Sequence, residues 1–365
     1  MTERARFLAV LDGKKPDKPP WYADLSYYYF ALQKDGKLDE CYEGDAGYLR
    51  FHQDKGVGIY FYAPNMWDLS YSGGVHYREQ ITGDLKNCSY VTPAGTLNSI
   101  QKYSHETYSW AYLTHFVNNF NDLKIMLYVL QNTVYHEQYL AFDRIDTLWG
   151  ESGIPAAIPP VSVAPLQKLL SRWAGIETTV NLYMEDSDSF CDILAEMEKT
   201  EDKPFDIICR SNARYVEFAE NLSSEITGRT FFEQFNAPYY AQRTAELHRS
   251  GKTVGIHIDG TLKPCLSLLA GCGFDVAEAV TPAPVGDVEI EDLRLTAGEL
   301  ILIGGIPGAL FSNVYSNALF DDHVARLIKA CKADSRLMIG VADQVPPDAV
   351  PGRIERVRKL IDQLS

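Results

Sequence analysis

His257 and Asp259 stand two positions apart at the end of an apolar run, Thr253-Val-Gly-Ile-His-Ile258. In an extended segment the side chains of residues i and i+2 point the same way, so imidazole and carboxylate are expected on one side. Glu278 sits in the next apolar run, and Asp343 follows another, Leu337 to Val341. One nitrogen and three carboxylates would make a metal site of three or four ligands. That mix suits zinc, and without thiolates it also leaves room for a harder divalent ion. The His-x-Asp spacing alone is a weak signal. In the plainer reading His257 is a buried histidine bonded to Asp259, Glu278 caps a loop, and Asp343 holds the turn before Pro346-Pro347. Convergence would decide between the readings, because crowded carboxylates repel one another unless a cation or shared protons compensate.

What would make them converge is the order of elements around them. Short apolar or β-branched runs ending at Gly, Pro, Asp or Asn predict eight strands. These are Trp21 to Leu25, Val57 to Tyr62, Ile154 to Ile158, Arg214 to Ala219, Thr253 to Ile258, Phe274 to Val280, Leu300 to Ile303 and Leu337 to Val341. Helical periodicity fills Pro238 to Ser250, Leu262 to Ala270, His323 to Ala333 and Gly352 to Leu364. Helices between successive strands imply parallel pairing. Eight β/α units suggest an α/β (β/α)8 TIM barrel, although an open doubly wound sheet shows the same alternation.

One stretch breaks the pattern. Asp68 to Asn132 is rich in Gly, Thr, Tyr and Ser and reads as a hairpin-bearing insertion (68–132) after the second strand of a single domain spanning 1–365.

In a barrel the chemistry gathers where strands end, because the following loops share one face. The first strand is followed by Asp24, Tyr27, Tyr28 and Tyr29; the fourth by Glu220 and Asn221; the fifth by His257 and Asp259. Glu278, Thr281 and a turn ending at Asp287 go with the sixth, Gly304-Gly305 with the seventh, Asp343 and Gln344 with the eighth. Most of the tyrosines are expected to pack in the core or on helices, with at least one lining the pocket. An aromatic mouth with few cations favours an uncharged or aromatic ligand over a polyanion.

Composition narrows the partners. The 365 residues are 46% hydrophobic, enough for a globular core, and 49 acidic against 34 basic side chains leave a net charge of −15. Such a chain repels phosphate backbones and anionic lipid, so no nucleic acid and no membrane partner is expected. No apolar run is long enough to span a bilayer, and the charged start Met1-Thr-Glu-Arg-Ala-Arg6 lacks the apolar stretch of a signal peptide, so a cytoplasmic protein is expected. The seven scattered cysteines, with no Cys-x-x-Cys, point to reduced thiols.

Three stretches carry a family resemblance: Gly251-Lys-Thr-Val-Gly-Ile-His-Ile-Asp-Gly260, Leu302-Ile-Gly-Gly-Ile-Pro307 and Gly340-Val-Ala-Asp-Gln-Val-Pro-Pro-Asp348. They resemble the uroporphyrinogen decarboxylase superfamily, which includes the corrinoid-linked methyltransferases. The resemblance is dense from about Phe231 onward, with looser matches at Pro16 to Trp21 and Val91 to Leu97. It implies the same eight-fold barrel. Decarboxylases of the family carry an N-terminal Pro-x-Trp-x-Met-Arg-Gln-Ala-Gly-Arg whose arginines meet porphyrinogen carboxylates. Here Pro19-Pro20-Trp21-Tyr22-Ala23-Asp24-Leu25-Ser26-Tyr27-Tyr28 puts Asp24 and Tyr28 at the arginine positions, which argues against that substrate. Thiol-directed methyltransferases of the family resemble one another in a zinc motif, His-x-Cys followed much later by Cys. This chain keeps the histidine as His257 but has Asp259 and Asp343 where the cysteines would be.

Oxygen ligands form a harder site than thiolates, suited to polarising an oxygen or nitrogen leaving group. The resemblance, taken with that change, implies a methyltransferase moving methyl from an O-methyl compound, such as an aryl methyl ether, or an N-methyl compound to the Co(I) corrinoid of a partner protein. The cobalamin would come on that partner, since no Asp-x-His-x-x-Gly is present. His257, Asp259, Glu278 and Asp343 would bind the metal or share the leaving-group proton, with Asp24 and Glu220 as further catalytic candidates and Tyr27, Tyr28 and Asn221 as substrate-orienting ones. Two other readings stay open: a metal-independent decarboxylase or lyase in which Asp24 or Glu220 handles protons, separable by metal analysis, and a non-enzymatic sensor, which would tolerate loss of His257 and Asp343.

Overall fold

The computed structural model describes residues 1–159, 163–263 and 266–364, without the side chains of 61 and 62. Eight parallel strands close into a barrel: β1 (Trp21–Asp24), β2 (Gly58–Tyr62), β3 (Gly153–Ala157), β4 (Tyr215–Leu222), β5 (Thr253–Ile258), β6 (Val276–Val280), β7 (Ile301–Pro307) and β8 (Leu337–Gln344). Each pairs with its sequence neighbours and β1 closes on β8. These are the eight runs read from the sequence, and the fold is the expected (β/α)8 barrel. β5, β6 and β7 are buried at every position, as parallel strands covered on both faces must be.

Three strands run further than their apolar runs imply. β4 continues to Leu222, β7 to Pro307 and β8 to Gln344. Gly304-Gly305 therefore lies inside β7 and not in a loop. A Cβ at Gly304 would meet Val280 N at 2.6 Å, and one at Gly305 would meet the Leu327 side chain at 2.6 Å. Close approach of β6 and of helix Asn317–Ala333, and not a turn, explains these glycines. The helical reading of Leu262 to Ala270 holds as a short helix, Leu266–Leu269, and a 3-10 turn; residues 264 and 265 lie outside the described residues.

Helix Glu3–Leu11, capped by the Thr2 hydroxyl accepting from Ala5 N, closes the N-terminal end of the barrel. Its Phe7 lies 5.0 Å from the Tyr22 ring, 5.8 Å from Tyr215 and 6.3 Å from Tyr60. Together with Ile154, Val276, Ile303 and Met338 these rings form a dry floor inside the barrel. Apolar side chains thus fill the lower interior, and polar groups inside the strands have only the C-terminal end left to occupy.

The chain divides into two compact units, one of 1–65, 139–162 and 208–365 that carries the barrel, the other of 66–138 and 163–207. The second unit contains a two-stranded antiparallel pair, Trp67–Tyr71 with Thr133–Glu137, and a four-stranded meander over His76–Thr82, Leu85–Thr92, Gly95–Ser104 and Ser109–Thr114. The expected insertion, 68–132, lies wholly within it; helices Ile176–Glu185 and Ser187–Lys199 belong to it as well. Six cysteines among the described residues are free thiols, while Cys265 lies outside them. No helix among the described residues is long and apolar enough to cross a membrane.

Candidate functional site

Directly above the aromatic floor, three neighbouring strands each turn one ionisable side chain inward. His257 on β5 is in register with Glu278 on β6, and Glu217 on β4 is in register with Gly255 on β5, one inward position below His257. All three are at least 94% buried. His257 Nδ1 lies 2.5 Å from Glu278 Oε2. One ligand atom from each of Glu217, His257 and Glu278 lies within 4.8 Å of the others, so the group can hold a metal ion. Both Tyr60 and Tyr215 donate their hydroxyls to Glu217 Oε2.

Burial by itself would strip the proton from His257, but Glu278, Glu217 and Asp343 outweigh it and raise its pKa to about 9. Burial, reinforced by Glu278, pushes Glu217 up to about 8 against the opposing pull of His257 and the two phenols. His257 and Glu217 therefore hold protons at neutral pH unless a cation replaces them.

The other expected residues are distributed as follows. Asp343, exposed at the end of β8, has Oδ1 4.0 Å from His257 Nε2. Its pKa is raised, chiefly by desolvation, with His257 opposing and Asp259 and Asp24 adding to the shift. Asp24 accepts from Ser26 N at 2.7 Å and from Gln344 Nε2 at 2.8 Å; burial raises its pKa against those bonds, and Glu278 adds to the rise. Asp259 follows β5 directly and lies close enough to Asp343 to add to the rise in its pKa. β5 ends at Ile258, Asp259 N donates to Leu222 O, and the exposed Asp259 carboxylate accepts from Gly260 N.

Glu220 is buried beside the Tyr240 hydroxyl of helix Ala237–Arg249. Asn221 is exposed. Tyr28 packs on Phe51 at 6.3 Å with Lys55 6.0 Å from its ring, and Tyr27 lies half-buried in the same helix, Ser26–Lys34. Asp287 takes Leu262 N and Lys263 N, tying the loop after β6 to the one after β5.

Three non-glycine residues at the C-terminal ends of strands take positive φ: Asn221 (48°), Ala279 (61°) and Asp343 (66°). Asn and Asp tolerate this region; Ala279, next to Glu278, does so at a cost of about 1–2 kcal/mol. Glu217 and Tyr215 were not singled out from the sequence, and Tyr60 counted only among the tyrosines expected mostly to pack in the core. A signal existed: a carboxylate in the otherwise apolar Tyr215-Val-Glu-Phe-Ala219 of a parallel strand must face a polar interior or be paired.

Gly255 makes room for this arrangement, because a Cβ there would overlap the Tyr215 hydroxyl and ring. Gly255→Ala is expected to displace the phenol from Glu217 and to lower stability by about 1–3 kcal/mol, read from denaturant unfolding. Unchanged stability would show that the ring has space to move.

No family model matches the chain, and no curated protein matches its sequence. A solved methyltransferase from Methanosarcina mazei has the same fold. The superposition has a TM-score of 0.60 and 12% sequence identity, and covers 100% of this chain and 99% of that one. Identity this low speaks for the barrel alone.

Proposed function

We propose that the chain is a corrinoid-linked methyltransferase of the uroporphyrinogen decarboxylase type, taking methyl from an O-methyl or N-methyl compound and passing it to the Co(I) corrinoid of a partner protein. The observation that carries this reading is the buried Glu217–His257–Glu278 group at the C-terminal end of the barrel, made of nitrogen and oxygen donors only. The structural likeness to a methyltransferase supports it.

The group fits a divalent ion such as zinc on two grounds. Its ligand atoms lie within 4.8 Å of one another, and two buried carboxylates require a compensating positive charge. Three protein ligands would leave an open position for a substrate atom. When bound, such an ion supplies Lewis-acid stabilisation of the departing oxygen or nitrogen.

The chain's own residues do the rest. Glu278 fixes the ring of His257 through Nδ1, leaving Nε2 turned toward Asp343 at the rim. When the methyl–oxygen or methyl–nitrogen bond breaks, its electron pair stays with the departing atom; a partner's Co(I) corrinoid would be the acceptor that supplies the pair for the new bond to carbon. Neutralising the departing atom then needs a positive charge or a proton, which this buried group is built to hold. Asp343 at the end of β8 lies beside His257, and Asp24 is bonded to the neighbouring Gln344; by the resemblance they stand at cysteine and arginine positions, which disfavours a thiol or a polyanion as substrate.

The test mixes the purified chain with a Co(I) corrinoid protein and a panel of methoxyarenes and methylamines, following the methylcobalamin absorbance. Methyl transfer from at least one donor is expected. Failure across a broad panel overturns the reading.

A further inference from the structure

Glu217 is held from below by two phenols that converge on one of its oxygens. Tyr60 on β2 and Tyr215 on β4 both donate to Oε2, the Tyr215 bond measuring 2.7 Å. A carboxylate oxygen has two lone pairs in its plane, so two donated hydrogen bonds occupy Oε2. The phenols are locked in place. Both are at least 96% buried, and Phe7 packs on both rings. The Tyr215 hydroxyl occupies space that only a glycine at 255 leaves open. Rearranging this layer would mean repacking the barrel floor.

We infer that Tyr60 and Tyr215 are positioning residues that restrict Glu217 to offering a cation a single oxygen, so that the Glu217–His257–Glu278 group selects a small, four-coordinate divalent ion such as zinc and rejects calcium. The inference rests on the reading of this group as the metal centre and goes beyond it by naming the residues that set the choice of ion. Zinc is satisfied by four donors, one atom from each side chain, at about 2.0–2.2 Å from oxygen or nitrogen. Calcium takes six to eight oxygens at about 2.3–2.6 Å and commonly draws both oxygens of a carboxylate. With Oε2 of Glu217 committed to phenols and a ring nitrogen in the donor set, the buried group falls short of what calcium needs. Removing one phenol hydroxyl frees a lone pair of Oε2 and lets the carboxylate shift, which loosens the hold on zinc and narrows the gap between the two ions.

The experiment measures zinc and calcium binding to the chelator-stripped full chain by equilibrium dialysis, for the wild type, Tyr60→Phe and Tyr215→Phe, with circular dichroism and thermal unfolding as fold controls. The wild type is expected to hold one zinc per chain that a tenfold excess of calcium does not displace. Each phenylalanine variant is expected to lose about 10- to 100-fold in zinc affinity and to show a smaller zinc-to-calcium preference. A phenol that merely filled space would leave that preference unchanged.

Folded variants with wild-type affinity and preference overturn the role of the phenols while leaving the metal centre standing. A wild type that binds no zinc overturns both. If a variant does not fold, the wild-type preference decides: calcium binding within tenfold of zinc refutes the selection.

Discussion

Replacing His257 by alanine is expected to lower the rate of methyl transfer by about 10²–10⁴-fold, the range typical of a lost acid–base or metal-binding group. The imidazole is the single nitrogen of the buried group and the positive partner of Glu217 and Glu278. Without it the two carboxylates face one another with no counter-charge, and they take up protons instead of orienting a cation. Breaking one side of a buried charged pair costs up to about 3–5 kcal/mol, so part of the loss could come from the fold. His257→Gln separates the two, since its amide still donates to Glu278 while lacking a basic nitrogen. The expected pattern is a near-wild-type unfolding midpoint for the glutamine variant with a rate as low as that of the alanine variant. An alanine variant that transfers methyl at the wild-type rate would remove His257 from the mechanism.

The metal-free protein is expected to lose stability as pH rises from about 5 to about 9. Both shifts have the same sign. His257 ordinarily titrates near 6.5 and does so at about 9 in the fold, and Glu217 moves from 4.5 to about 8. In each case the folded chain binds protons that the unfolded chain has released. The stabilisation is complete below the unfolded values and is lost as pH climbs through the folded ones. Each proton contributes a slope of about 1.4 kcal/mol per pH unit while only the folded chain holds it. The two sites act on each other directly and their windows overlap only in part, so the summed slope lies between one and two protons. Glu217→Gln should flatten the fall below pH 8, and saturating zinc should abolish most of it, because a bound cation displaces those protons. Urea unfolding at successive pH values with and without a chelator checks this. A metal-free stability that is flat or rises over that range contradicts the buried, proton-holding cluster.

Much of the fold was legible because each barrel strand is a short apolar run closed by a turn-forming residue. The site was legible only in part. His257 and Glu278 lie within strands, where the register puts them side by side. Asp259 and Asp343 lie beyond or at the very end of their strands, where register alone does not fix a side chain. Glu220 drew notice because the apolar run stops at Ala219. The strand in fact continues to Leu222 with irregular register after Phe218, and Glu220 lies beside Tyr240. Glu217 escaped notice for the opposite reason: it sits inside an apolar run that reads as core, and its polar company is supplied by Tyr60 from a strand more than 150 residues away. No local pattern encodes that meeting. The membership of 163–207 in the second unit was equally invisible, since those helices are separated in sequence from 66–138 by a barrel strand.

The most direct test of the account is X-ray absorption at the zinc edge of the zinc-loaded chain, wild type beside His257→Ala. The account predicts a first shell of nitrogen and oxygen at about 2.0–2.1 Å, no sulfur at about 2.3 Å, and loss of the ordered site in the variant. A sulfur scatterer, or a spectrum that His257→Ala leaves unchanged, would contradict it.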